Sequence, residues 1–370
     1  MKTQSWVRAA ALAVIGIGLA VPPDAWIAWA QQQDNGPIKP PGQQGAPPPQ
    51  APAQPENPQG QAPQDQNKPE AQLSITSNLV NVDAVVTDQD GNIITGLKRD
   101  NFRVTDNGEP QQITNFAPTD APITIVMLME FSSLGGGWFA QYARYWSTGF
   151  LGHLNKNDWI ALISYDLNSH LEVDFTQNKQ EIMEALYGMV FPGFHEANTF
   201  DALLDTIDRL QDVKGKKSIL LLSTGLDTFS KHTLDQTLKR LKNTDVTIFC
   251  VGTADEVLVR SGRDTSMNNL QAKNQLNTFA KMTGGYAWFP RFDGELPGIF
   301  QTVTNFLRNQ YTIGFVPTSA LHDGKYHKLK VEVLDDKGNP LTIADKKGKQ
   351  KKIVVYAREG YTAVSGTVGD

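Results

Sequence analysis

The chain has 370 residues, 34 basic against 39 acidic side chains, and a formal net charge of −5. That length suggests about two domains, and dispersed basic residues in a mildly acidic chain exclude the electrostatic footprint of a nucleic-acid binder. One cysteine, Cys250, excludes an internal disulfide; inside the apolar run Val246–Val251 it reads as a small buried hydrophobe.

Lys2 and Arg8 precede an apolar run from Ala9 to Val21, and Ala28-Trp29-Ala30 fits a small-x-small cleavage pattern. Residues 1–30 therefore read as a signal peptide, with Gln31 the first residue of the mature chain. The run falls short of the roughly 20 residues of a membrane span, so no transmembrane span is expected after cleavage; an uncleaved anchor is the alternative. The expected destination is the periplasm, the cell envelope or the extracellular space. Residues 31–72 are rich in Gln and Pro and poor in large apolar side chains. Such a segment buries too little surface to offset its ordering entropy and reads as a disordered, semi-rigid linker.

Folded sequence begins near Leu73. Leu79–Thr87 alternates like a strand with one buried face, Asp88–Asn92 is a turn, and Ile93-Ile94-Thr95 resumes the strand. Phe102–Thr105 and Gln112–Phe116 flank a second turn at Asp106–Pro110. Residues 73–120 form a β block too small for a core of its own.

Ile123–Met129 is a continuous apolar run, the mark of a strand buried on both faces. It is stopped by Glu130, Phe131, Ser132 and Ser133, and followed by Gly135, Gly136, Gly137 and a helical pattern from Phe139 to Leu154. Strand and helix patterns then alternate: strands at 159–165, 171–175, 218–223, 246–251 and 287–289, and helices at 179–187, 200–210, 234–242, 270–282 and 297–309. This is the pattern of a doubly wound, mostly parallel α/β sheet, spanning 121–310. In such sheets ligands bind at the carboxyl ends of the strands. β character returns over 311–363, with strands at 311–316, 327–333 and 353–356, and 364–370 reads as a flexible tail. The economical arrangement is one β-sandwich built from both flanks, with the α/β unit inserted between them. Two separate small β modules are the alternative.

A hydrophobic strand ending in Asp-x-Ser-x-Ser is the signature of the von Willebrand factor A domain, and Glu130-Phe131-Ser132-Ser133-Leu134 resembles it. Asn198-Thr199-Phe200-Asp201 is similar to that domain's second site loop, and Ser223-Thr224-Gly225 stands where the third has Ser-Asp-Gly. On the flanks, Thr87-Asp88, Asp100-Asn101-Phe102, Asp106-Asn107-Gly108, Tyr311–Phe315 and Arg358–Tyr361 resemble von Willebrand A-related proteins of Acidobacteria. The resemblance covers about 75–363.

What the resemblance implies is a VWA-like fold, Rossmann-type in its winding, and a metal-ion-dependent adhesion site for Mg²⁺ or Mn²⁺. Its ligands would be Glu130, Ser132 and Thr199. The pattern departs from the family at three positions. Glu130 is a methylene longer than Asp, Leu134 offers no donor atom, and Thr224 removes a charge. Mg²⁺ demands near-octahedral geometry at about 2.0–2.1 Å, so the site reads as degenerate, with no cofactor expected. Asp166 and Asp227 lie in loops able to face the same edge and supply the missing charge. Phe131, Trp138, Phe194 and Phe229 on these loops are candidate anchors for a protein partner.

No phosphate-cradling glycine loop, nucleophile elbow or His–Glu metalloprotease pattern occurs, so no enzyme is expected; a metal-dependent hydrolase is the residual catalytic reading. Asp201, Asp205 and Asp208 read as a solvated helix face, and His195-Glu196 as the one pair placed where a ligand could meet it. The expected function is an exported, non-catalytic, adhesion-type interaction module. A structural envelope component without an active site is the competing class.

Overall fold

The computed structural model describes residues 79–118, 122–133, 147–189, 194–253, 266–318, 323–344 and 348–363. The proposed signal peptide, the 31–72 linker, Leu134, Trp138 and the 364–370 tail lie outside them. Four strands come first: β1 (Val80–Asp88), β2 (Phe102–Asp106), β3 (Glu109–Gln111) and β4 (Ile113–Pro118). The α/β unit contributes β5 (Thr124–Glu130), β6 (Trp159–Tyr165), β7 (Ser169–Thr176), β8 (Ser218–Ser223), β9 (Thr247–Gly252) and β10 (Ala287–Trp288). The chain then adds β11 (Tyr311–Phe315), β12 (Tyr326–Val333), β13 (Thr342–Ala344), β14 (Gln350–Ala357) and β15 (Gly360–Thr362).

The central sheet has the order β10-β9-β8-β5-β6-β7, parallel except for β7. Only a tight turn joins β6 to β7, which forces the antiparallel pairing. Successive residues of β5 enter opposite layers. Val126 and Leu128 pack beneath the helices Thr199–Arg209, Leu234–Leu241 and Ser266–Thr283, while Ile125, Met127 and Met129 meet the helices at 147–153, Lys179–Gly188 and Leu296–Arg308. Both faces are closed, so an uninterrupted apolar strand is the only kind that fits. Each fully buried Leu, Ile or Met stabilises the sheet by roughly 1.5–3 kcal/mol. After β7 the chain returns to the other side of β5 to lay down β8, which makes β5 the switch point of the sheet. Among the described residues no helix is long and apolar enough to cross a membrane.

The flanking strands make two antiparallel sheets, β13-β14-β1-β11-β4 and β15-β12-β2-β3. Each contains strands from both sides of the α/β unit. β1 lies between β11 and β14, and β2 pairs along its length with β12. Val82, Ala84 and Val86 of β1 face Phe102, Val104, Ile313, Phe315 and Leu329 in the shared core. Val85, on the other face, packs with Tyr356 against the helical layer of the α/β unit. A buried polar knot ties the second sheet together. Asp106 accepts from Tyr361 Oη at 2.8 Å and meets His327 Nδ1 at 2.9 Å, and His327 Nε2 lies 3.2 Å from Asp323. Burial works against the charged imidazole, yet the two carboxylates outweigh it and hold the His327 pKa above its usual value.

Several details differ from the sequence reading: β3 begins within the turn expected over Asp106–Pro110, and β13 and β15 match no expected strand. Ile93-Ile94-Thr95 makes a single bridge, Ile93 to Thr87, because the chain leaves the sheet edge there. The helix expected over 270–282 runs over Ser266–Thr283. Since both neighbours of β1 lie beyond residue 310, a chain ending at Asn309 should leave β1 unpaired. Hydrogen exchange of such a chain should find the Val80–Asp88 amides unprotected and those of β5, β6 and β8 still slow.

Candidate functional site

Glu130 ends β5 at the switch point, 1 % exposed. An isolated buried carboxylate is too costly to persist, and the neighbouring strand end supplies its partners. Ser132 Oγ donates to Oε1 at 2.9 Å. Ser223 Oγ and the Thr224 N–H donate to Oε2 at 2.9 and 2.8 Å. The Thr224 hydroxyl lies 3.1 and 2.9 Å from the two oxygens. Burial pushes the Glu130 carboxyl above its usual range, and these donors pull it part of the way back.

A second shell of contacts fixes the direction of the protons. Tyr165 Oη, fully buried at the end of β6, donates to Ser223 Oγ at 2.8 Å, so Ser223 passes its own proton on to Glu130. Burial, and then the nearby Glu130 charge, raise the Tyr165 pKa well above its ordinary value and keep it a donor. The Gly225 N–H donates to Ser223 Oγ at 2.9 Å and the Leu226 N–H to Thr224 Oγ1 at 3.2 Å. Gly225 takes φ +75°, and a Cβ there would fall 2.9 Å from Leu276 Cδ1 and 3.0 Å from the Ala272 carbonyl. The turn needs glycine on both counts.

The other sequence candidates are distributed around this knot. Thr199 opens its helix and donates to the Leu226 carbonyl at 2.9 Å, reaching the knot only through a 3.3 Å contact with Tyr165 Oη. Asp227 accepts from the Phe200 N–H at 3.1 Å and from Ser230 Oγ at 2.5 Å, at the amino end of that same helix. Asp166 accepts from the Asn168 N–H at 3.1 Å and pairs with His170 at 3.7 Å. Burial raises its pKa, but the His170 and Asn168 contacts outweigh that and hold it below the usual carboxylate range. Asp201 accepts from the backbone of Lys231 and His232 at 2.9 and 3.0 Å. Among the described residues no three His, Cys, Asp or Glu converge as a metal-ligand group.

Backbone contacts stitch the three loops into one surface. The Ser133 N–H donates to the Phe194 carbonyl at 2.8 Å, and Ser133 Oγ lies 2.8 Å from His195 Nδ1. The Ala197 N–H donates to Thr228 Oγ1 at 2.8 Å, and the Thr228 N–H to the Ala197 carbonyl at 3.0 Å. On this surface Phe194 is 50 % and Phe229 68 % exposed, whereas Phe131 is half-buried against the core. Tyr165 escapes sequence reasoning: it ends an apolar run, where a residue facing the site looks the same as one filling the core.

Residues 125–290 match the family model of the von Willebrand factor type A domain. Among solved structures, the chain is similar to proximal thread matrix protein 1 from the mussel byssus. The identity is 14 % and the TM-score 0.40, over 52 % of this chain and 50 % of that one. It therefore spans half the length of that relative. It is also similar to the von Willebrand domain of the type V pili tip protein Mfa5 from Porphyromonas gingivalis (14 % identity, TM-score 0.39, 50 % of this chain and 95 % of that one). A von Willebrand factor type A protein from Catenulispora acidiphila matches at 12 % identity and a TM-score of 0.41, over 70 % of this chain and 73 % of that one. No curated protein matches.

Glu130→Gln should lower stability by about 1–3 kcal/mol, because an amide turns N–H groups toward donors that need an acceptor. A carboxyl whose folded pKa is raised contributes most below the ordinary carboxyl range and loses that contribution as pH rises through the raised value. The margin of the wild type over the variant should therefore narrow from acid to neutral pH. Urea unfolding at both pH values checks the size and the sign.

Proposed function

From a chain whose residues 125–290 form a von Willebrand factor type A domain, we propose an exported, non-catalytic interaction module that binds a protein partner through the carboxyl-edge loops. The observation that carries this reading is the pair of exposed rings, Phe194 and Phe229, on loops already tied together by backbone hydrogen bonds. Large apolar side chains held out in water by a rigid frame suit an interface. Hydrogen bonds already made between the loops leave less ordering entropy to lose, and buried aromatics dominate interface energies. Export rests on the pattern of residues 1–30.

In this reading recognition is metal-free. What supports this is the carboxylate itself: both Glu130 oxygens already accept hydrogen bonds, Oε1 from Ser132 and Oε2 from Ser223 and Thr224, and Thr199 donates to the Leu226 carbonyl. The hydroxyl knot thus stands in for the cation, neutralising the strand-end carboxylate with protein donors.

Two outcomes are expected. Phe194→Ala with Phe229→Ala should leave the melting temperature essentially unchanged, as surface substitutions shift stability by only about ±0.5 kcal/mol, and should abolish capture of the partner from envelope extract. Undiminished capture would turn the reading toward a scaffold. Millimolar Mg²⁺ or Mn²⁺ should leave the melting temperature of the wild type unmoved, since any site occupied at a hundred times its dissociation constant would add about 2.7 kcal/mol. Restoring Glu130→Asp, Leu134→Ser and Thr224→Asp together should create a metal-dependent rise.

A further inference from the structure

A cleft of about 520 Å³ opens far from the carboxyl edge, where the α/β unit meets the sandwich. Its volume falls in the range of small-molecule sites, and such sites favour seams between lobes. One wall is the end of the helix Ser266–Thr283 and the turn into β10; the other is formed by β12 and β14. Gly284 allows this close approach: at φ +84°, a Cβ there would lie 2.7 Å from the Arg358 nitrogen.

The lining joins aromatic and apolar groups to an excess of positive charge. Tyr286 and Tyr356 meet edge to face with centroids 5.3 Å apart, and Tyr286 is 38 % exposed. Lys281, Lys330 and Arg358 line the cleft against one acid, Glu359. The two lysines have carboxylate partners, Glu359 at 3.0 Å and Glu332 at 2.7 Å. Arg358 differs. Its guanidinium donates to two neutral carbonyls, Gly360 at 2.7 Å and Thr244 at 3.1 Å, and among the described residues no carboxylate forms an ion pair with it. Asp83 and Asp245, the acids that act on it from farther away, are paired with Lys216 at 3.0 Å and Lys217 at 2.8 Å.

A largely desolvated guanidinium with no direct ion pair among the described residues, set in an apolar and aromatic cleft, is complementary to a flat apolar body carrying one negative group. We propose that this cleft binds a small aromatic anion, its ring against Tyr286 and Tyr356 and its carboxylate or sulfonate answering the charge of Arg358. The site goes beyond the carboxyl-edge interface and shares no residue with it.

The test uses two probes that differ only by the sulfonate group: 8-anilinonaphthalene-1-sulfonate and its neutral parent, N-phenyl-1-naphthylamine. The full-length protein should bind the sulfonate at a single saturable site with a rise in fluorescence, and the neutral amine about tenfold more weakly or worse. Asn277→Trp, at an exposed helical position on the cleft wall, should abolish sulfonate binding by filling the space. Lys330→Glu, whose side chain is 67 % exposed, should weaken it several-fold and leave the melting temperature unchanged. Non-saturable binding, equal affinity for the two probes, or sulfonate binding untouched by both variants would overturn the proposal.

Discussion

The structure at the sheet edge depends on the cost of burying a carboxylate. β5 is sealed on both faces, and its last residue carries a negative group into a place that water cannot reach. Everything nearby answers that constraint. β8 stops at Ser223 so that its hydroxyl and the next N–H arrive beside Oε2. Tyr165 orders the Ser223 proton, and Gly225 turns the chain tightly enough for Thr224 to reach both oxygens. The loops at the carboxyl edge inherit their rigidity from this knot and from the backbone bonds that join them.

The sandwich meets its own polar constraint in a different way. Asp106, His327 and Tyr361 come from strands separated by most of the chain, yet they satisfy one another in the interior. Breaking such a buried pair is far more costly than never having made it. The knot therefore specifies register as much as it stabilises: slipping β12 by one residue past β2 would turn His327 outward and take the imidazole from the buried Asp106.

Much of the fold was legible in the sequence because the signals were strong and local. The apolar run of β5, the 3.6-residue period of the helices and the alternation of β1 each follow from where the faces are buried. β13 was not legible: it has three exposed residues and no apolar face to announce it. At the site, residue types were readable but hydrogen-bond direction was not. Ser132 and Thr199 looked like equivalent oxygen donors, yet one turns to Glu130 and the other to the Leu226 carbonyl. Asp227 looked like spare charge for the edge, and it caps a helix instead. Such choices are made by neighbours distant in the chain.

The placement of β1 between β11 and β14 has a consequence for biosynthesis. This strand, the first among the described residues, must wait for more than two hundred residues before either hydrogen-bonding neighbour exists. The α/β unit, all of whose strands lie between β4 and β11, can condense in that interval, whereas the sandwich can close only after it. Until then β1 is an unpaired, alternating apolar segment, open to wrong pairing with other chains. The emergence of β11 and β14 sets the moment at which that exposure ends.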